Sequence, residues 1–516
     1  MEQKKFSRRD FMKAAGFAAT ASLLAACAPA TAQVVTQVVN QTQVVTQVVP
    51  QTQVVTQVIS QTGVPQVVTA TPAPTAVPAP VVMDIWAITT IKDIHAKWDP
   101  TDPNNAAFKA EWWTGGMIRA GVLPWLDKHP GVSVNITGHG WDAGLRQNIY
   151  LALAAGITPD TGYGEAYVTE FVGLGVYAPV SAESQALFPA GVLRAVTKPD
   201  DGKAYGLAET TGANAMFVNV DSVKKAGLNP DPTTFPQDWD SLVTMAETIS
   251  KANKDPKYGN NAFFTYAPQQ ESIGSILRMA AWWEQNNTPI GSDFGKPSIN
   301  QPGAADVWVF VNKLLQTSQQ NTILNIDATG EFGSAAALNK GIIALKIGWT
   351  NDATTVGSDP KANVIAIELP TPKGGKKATN LVGNQINSPT LHGPHPALAI
   401  DYIESTVTNQ DAQIVKPNGC GIWIPALKSM LEQYATFDKL GGFKTKVAQD
   451  IVRVTMKAAL DSAAPIPGWP KNGNRIWDAW NDSYSKIWKG NLAKDAIQKE
   501  LDTLETTVEG LLQPAA

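Results

Sequence analysis

Val132-Ser133-Val134-Asn135-Ile136, then Leu145, Ile149, Ala152 and Leu153, then Gly156: this stretch decides the fold class. Its first five residues alternate apolar and polar side chains, the pattern of a strand with one face on a core. The four apolar positions that follow recur at helical spacing, and the glycine after them ends the helix because it accepts a left-handed backbone. Upstream, Val81-Val82-Met83-Asp84-Ile85-Trp86-Ala87-Ile88 is a short apolar run suited to a buried first strand. Downstream, Asp160 to Tyr163 starts another turn after a short strand. After Pro236, Asp238 can cap a helix whose inner positions are Trp239, Leu242, Val243, Ala246 and Ile249. Strand, helix and strand in this rhythm predict α/β layering, with sheets covered on both faces.

At 516 residues the chain is too long for one ordinary core, so two or more compact units are expected. Hydrophobic residues at 44% describe a globular chain, and a formal charge of −4 leaves no basic excess for a nucleic-acid partner. The cysteines, Cys27 and Cys420, number 2, and a bond between them would join the N-terminal region to the folded body, so no disulfide framework is expected. Trp at 16 against Tyr at 10 suits a large core or a surface that grips flat apolar faces. Ile476, Trp480, Tyr484, Ile487 and Trp488 form a stripe at helical spacing, assigned to core. Trp282 and Trp283 are neighbours on an expected helix, about 100° apart, so one of them is assigned to core.

Residues 1–26 read as a targeting segment. Lys4, Lys5, Arg8 and Arg9 precede an apolar stretch from Ala14 to Ala26, too short for a bilayer that takes about 20 residues. Ser7-Arg8-Arg9-Asp10-Phe11-Met12-Lys13 resembles a twin-arginine export signal, with Met12 where Leu is usual, and Sec export stays open. Leu24-Ala25-Ala26-Cys27 resembles a bacterial lipobox, which implies cleavage before Cys27 and a diacylglycerol on its thiol. An ordinary signal peptide with a chance cysteine is the competing reading. From Cys27 to residue 80 the chain is low in complexity: Gln33-Val34-Val35-Thr36-Gln37-Val38-Val39 recurs from Gln43 and again from Gln53, and a Pro-rich run follows. These units have little to bury and read as a tether, roughly 40 Å across as a coil. Their uncharged Val-Val-Thr-Gln content leaves β-type self-association as the alternative.

No catalytic chemistry is legible. His392 and His395 have metal-pair spacing, but Pro394 and Pro396 break any helix that would align them. Gly173, Gly175 and Ala178 mimic a dinucleotide loop, yet Pro179 and Val180 do not open a helix. The chain has no Gly-x-Ser-x-Gly elbow, no phosphate loop and no His-Glu-x-x-His. These absences do not exclude an enzyme but leave it without a named nucleophile, and no cofactor or metal is expected.

Blocks spread over residues 82 to 516 carry a family resemblance. They begin with Lys128-His129-Pro130-Gly131-Val132 and Ala154-Ala155-Gly156-Ile157-Thr158-Pro159-Asp160. Asp201-Gly202-Lys203-Ala204-Tyr205-Gly206-Leu207, Phe217-Val218-Asn219-Val220-Asp221 and Lys225-Ala226-Gly227-Leu228 follow. Asn339-Lys340-Gly341-Ile342-Ile343-Ala344-Leu345 with Gly348-Trp349, and Ile424-Pro425-Ala426-Leu427-Lys428, complete the order. Together they resemble the family 1 extracellular solute-binding proteins, the maltose-binding-like group. Each block is loose by itself; their joint order is specific. Lys92 to Gly116 is longer than the family pattern, and Asn384-Gln385 stand where an aromatic is frequent.

The resemblance implies an α/β, two-lobe periplasmic-binding-protein-like fold with hinge crossovers and a ligand cleft between the lobes. The first lobe is placed at about 81–210 and 363–410, the second at about 211–362 and 411–516. It also implies a lipid-anchored monomer at the outer face of the cytoplasmic membrane, capturing a mono- or oligosaccharide for an ABC permease. A polyol, glycerol phosphate or peptide is the alternative cargo, and a polysaccharide-processing enzyme or adhesin the remaining one.

A sugar offers C–H faces to aromatic rings and hydroxyls to fixed donors and acceptors. By resemblance, Trp349 is the stacking platform, with a packed lobe residue as the competing reading. The loop Tyr163-Gly164-Glu165-Ala166-Tyr167 resembles a first-lobe ligand loop, in which Glu165 would accept hydroxyl bonds and Tyr163 or Tyr167 would stack; a solvated helix start is the equal alternative. Thr210 and Asn214 flank the first crossover and are expected to face the cleft. Asn384 and Gln385 lie at the second crossover. Trp141 and Trp423 are further aromatic candidates, Trp141 divided evenly between lining the cleft and packing behind it.

Overall fold

The structure is a computed structural model. It describes residues 80–513 apart from 100–101, 103–111, 141, 165–167, 256–258, 261–262, 265–273, 292–295, 319–330, 358, 416, 418–422, 434–441, 465–468 and 470. The targeting and tether segments, with Cys27, lie outside the described residues, as do Trp141, Glu165 and Tyr167. The chain divides between Thr75 and Ala76, and the unit from Ala76 onward holds every element described below.

Its main strands are β1 (Val81–Ala87), β2 (Ile91–Ile94), β3 (Val132–Gly138), β4 (Thr161–Gly164) and β5 (Leu207–Asn219). They are followed by β6 (Phe263–Phe264), β7 (Leu345–Trp349), β8 (Val364–Ile367), β9 (Thr379–Pro389) and β10 (Ile424–Pro425). The hydrogen-bonded path runs β2-β3-β1-β4-β9-β5-β7-β6, and its part as far as β5 makes up a first sheet, with β7, β8 and β6 in a second around the other half of β5. The apolar run and the alternating run of the sequence pair in parallel here, Val81 beside Val132 through Ala87 beside Gly138. Parallel neighbours need a long crossover between them, which the helical stretch 112–128 supplies. The helix expected after β3 is Asp142–Ala154, and Gly156 follows it at φ +71°.

β5 is the strand that decides the architecture. Its Leu207–Ala213 half pairs with β9, while Asn214–Val218 pairs with β7 and Met216–Asn219 with β8. One thirteen-residue strand therefore belongs to two sheets, and the change of partner falls between Ala213 and Asn214. β9 also crosses: its far end pairs with β4, its middle with β5.

Each sheet has its own core. Met83, Ile85, Val134, Ile136, Leu145 and Ile403 are among the residues buried around the first. On the second sheet the strand period of two sorts side chains to opposite faces. Met216 and Val218 enter a tryptophan-rich core with Trp239, Trp282, Trp283, Trp308 and Trp480. Ala215 and Phe217 enter a separate core with Val356, Ile451 and Val452. Covered faces on both sides are what the α/β reading requires. Asp238 caps its helix as expected, accepting the Ser241 N–H at 2.9 Å, and Trp239, Leu242, Val243, Ala246 and Ile249 are all buried.

Two expectations need correction. Trp282 and Trp283 are both buried, because their helix has neighbours on two sides. Trp282 meets Phe310 edge-on at 4.9 Å, and Trp283 meets Trp308 at 5.2 Å and Trp480 at 6.0 Å. The lobe boundaries also shift. β8 pairs with the second half of β5, so the chain from 363 up to β9 stays with the second sheet. Residues beyond 410 remain on the first core: Ala426, Leu427 and Met430 pack in it. The Gln413 amide donates to the carbonyls of Ala208 and Val407, and its oxygen accepts the Ala426 N–H.

Candidate functional site

The four residues Glu209 to Gly212 occupy the middle of β5, just before it leaves the first sheet. β9 lies on one side of them, β10 on the other. The β9 register pairs Thr210 with Asn384 and Ala208 with Ile386, so Gln385 stands opposite Glu209. The β10 register pairs Thr211 with Ile424, so Trp423 stands opposite Gly212. Gln385 has φ +54° and Trp423 φ +62°. Left-handed backbone is uncommon for residues other than glycine and costs of order 1 to 3 kcal/mol where a side chain resists it. Two such residues flank one short stretch of strand, and strain held in place by its surroundings clusters at functional sites.

Trp423 is half-buried, and its ring lies on the backbone of Gly212. A Cβ at position 212 would stand 2.9 Å from ring atoms Cε3 and Cζ3, so glycine is what allows the ring to lie there. Gln385 is buried, and its side-chain oxygen accepts the Thr210 hydroxyl at 3.3 Å. Thr210 itself is 1% exposed. Asn384 occupies its expected place in β9, opposite Thr210.

Asn214 does not face an opening. It is fully buried, and its amide nitrogen donates to the Gly348 carbonyl at 3.1 Å, stitching β5 to β7. Trp349 lies opposite it and is 4% exposed, packed in the tryptophan-rich core. Its place follows from parity, since Leu345, Ile347 and Trp349 occupy one face of β7 and the first two are core. The turn after Trp349 is locked: its N–H donates to Asp352 Oδ2 at 2.8 Å, and Asp352 Oδ1 pairs with Lys346, both side chains fully buried. Thr350 accepts the Ala213 N–H at 3.0 Å.

Tyr163 is 4% exposed and sits on β4 opposite Asn387. It helps line a pocket of about 680 Å³, counting space open to solvent, at the end of β1. Glu209 also lines it, with Oε1 accepting the Asn387 amide at 2.8 Å. Sequence reasoning passed over Glu209 and Asn387. The available signal was a carboxylate inside a strand whose other residues are apolar, small or amide and hydroxyl side chains.

His395 is no half of a metal pair. Its N–H and its Nδ1 approach the buried Asp160 Oδ1 at 2.8 and 3.2 Å, tying the loop before helix Pro396–Val407 to the end of the first sheet. Among the described residues no group of three or more His, Cys, Asp and Glu could hold a metal, and no helix is long and apolar enough to cross a membrane.

Comparison with known proteins adds a family and a fold. The profile of the family described as "Bacterial extracellular solute-binding protein" matches residues 98–404. A protein of Brucella abortus (strain 2308), named only as a binding protein, is 28% identical over 184 residues, which cover 35% of this chain and 41% of that one. A Deinococcus radiodurans protein named as a probable ABC transporter-binding protein is 26% identical over 228 residues, covering 43% of this chain and 51% of that one. The chain thus spans about half or less of the length of these curated relatives. The crystal structure of a cyclic alpha-maltosyl-1,6-maltose binding protein from Arthrobacter globiformis superposes with a TM-score of 0.61 at 15% identity, covering 84% of this chain and 99% of that one.

Proposed function

This chain belongs to the bacterial extracellular solute-binding protein family, and from that premise we propose that it captures a mono- or oligosaccharide between two lobes and presents it to an ABC permease. The observation that carries the reading is the passage of β5 through two sheets, each with its own core. Two bodies joined by shared strands can rotate about the crossing point while each core stays packed. A solute that touches both bodies favours the closed arrangement by its differential affinity, and the closed form is what a permease reads. Binding is the whole task, so no nucleophile or metal is needed.

Sugar as cargo is supported by the chemistry at the crossing. The Trp423 ring offers a flat apolar surface, and Thr210, Gln385 and Glu209 supply hydroxyl, amide and carboxylate groups within a few residues of it. The Arthrobacter protein of the same fold is named for binding a maltose-based ring. Trp349, Tyr163, Asn384 and the loop residues Glu165, Tyr167 and Trp141 complete the proposed lining; Asn214 is left out because its amide is bonded to the backbone of β7. Delivery from the membrane surface rests on the lipobox-like Leu24-Ala25-Ala26-Cys27, the signal before it and the tether after it.

A melting-temperature screen of the full chain against neutral sugars, polyols, glycerol phosphate and short peptides tests the cargo. A ligand held only by the native state stabilises it by about 2.7 kcal/mol at a hundredfold excess over Kd. At least one sugar should raise the melting temperature saturably. A rise with peptides or glycerol phosphate alone would replace sugar as the cargo.

A further inference from the structure

The pocket at the end of β1 shares Tyr163 and Glu209 with the proposed sugar lining, but most of its wall is apolar. Its inner wall is aliphatic and aromatic: Ile85, Ile118, Val122, Tyr402 and Val407 are each no more than 6% exposed. Its mouth is half-buried, formed by Ala87, Ile88, Thr89 and Met117 together with Glu209. Glu209 is the one charged group among the described residues that line it, and none of them is basic. All of the lining belongs to the first-sheet body, with Ile88 and Thr89 in the loop after β1 and the rest on strands β1, β3, β4, β5 and β9, helix Pro396–Val407 and the helical stretch 112–128.

A pocket of this kind, open at its mouth, leaves its apolar lining without packing contacts that side chains would otherwise supply. Inside it an unpartnered sugar hydroxyl would lose its hydrogen bonds to water, at about 1 to 3 kcal/mol each. A hydrocarbon group entering it gains on both counts. At the mouth, the carboxylate that accepts the Asn387 amide favours a hydrogen-bond donor over an anion.

We propose that this pocket receives an apolar arm, a short alkyl chain or a single aromatic ring, of a solute that carries a hydroxyl or ammonium donor at the root of that arm, next to Glu209. The proposal deepens the solute-capture reading and rests on it for the claim that such a solute is the transported cargo. It makes the cargo a sugar that carries an alkyl or aryl group instead of a bare one.

The test is ligand-observed NMR on the full chain with benzyl alcohol, benzylamine and benzoate, on wild type and on Val407→Phe and Glu209→Gln. Benzyl alcohol and benzylamine should bind saturably, and benzoate at least tenfold more weakly. Val407→Phe, which fills the pocket, should abolish binding of all three. Glu209→Gln, at the half-buried mouth, should bring benzoate to within about threefold of benzyl alcohol. Absence of saturable binding by wild type, or binding that survives Val407→Phe with its melting temperature intact, overturns the proposal. If Val407→Phe fails to fold, an unchanged preference in Glu209→Gln overturns it alone. Probe binding without any sugar response in the melting screen would remove the sugar reading and leave the pocket; a sugar response without probe binding would do the reverse.

Discussion

Lys346→Met is expected to lower the free energy of unfolding by about 3 to 5 kcal/mol, the cost of leaving one partner of a buried ion pair uncompensated. Lys346 and Asp352 are both fully buried, and they sit at the two ends of the segment that carries Trp349. Lys346 points to the opposite face of β7 from Trp349, into the region of Phe217, where only an ion pair with Asp352 makes an ammonium group tolerable. Gly348 is part of the same fit: a Cβ there would collide with the Phe217 ring and with Asp352 Oδ2. Denaturant titration of the variant checks the figure, and a loss under about 1 kcal/mol would show that the pair contributes little. Adding Asp352→Leu should recover only part of the stability. The carboxylate also accepts the Trp349 N–H at 2.8 Å, and the double variant leaves that donor buried without its acceptor.

Trp423→Ala should weaken binding of the sugar found in the melting screen by on the order of 2 kcal/mol, about thirtyfold in Kd. One face of the ring rests on Gly212, so a sugar stacking on the ring would be held against a surface the strand itself braces. Truncation also removes the partner that fills the space above Gly212, so the melting temperature should fall modestly. Trp423→Phe separates the two effects. It keeps an apolar face and should recover most of the affinity if stacking is the source. Affinity that is unchanged in Trp423→Ala, measured by calorimetry, would assign the ring to packing.

The order of importance of the two tryptophans is where sequence and structure diverge most. Trp349 ranks first by family pattern, yet at 4% exposure it has little face to offer, while Trp423 is half-buried. The burial of Trp349 was within reach of the sequence, because it shares parity with Leu345 and Ile347 on one strand. Local signals transferred well. The Asp238 cap, the Gly156 terminator and the α/β rhythm each depend on a few neighbouring residues and stand as expected. The change of partner falls between Ala213 and Asn214, inside the stretch flanked by Thr210 and Asn214 and three residues past the expected lobe boundary.

What the sequence withheld was set by distant partners. Nothing in Asn384-Gln385 or Ile422-Trp423 announces a left-handed backbone, since neither position is a glycine. The conformation follows from which strand each residue meets. The extension of the first body to Met430 depends on Gln413 reaching Ala208, a contact between residues 205 apart in the chain. The Glu209–Asn387 pair arises the same way, from the register of β9 on β5.

The central claim is that two bodies sharing β5 and β9 close on a sugar. Spin labels at exposed Glu183, in the first body, and exposed Asp495, on helix Lys494–Leu512 of the second, report the separation directly once Cys27 and Cys420 are replaced by serine. The account predicts that a sugar active in the melting screen shifts the distance distribution, saturably and at the same midpoint as calorimetric binding, toward a single shorter separation. A distribution that stays the same at saturating concentrations of every sugar tested would contradict it.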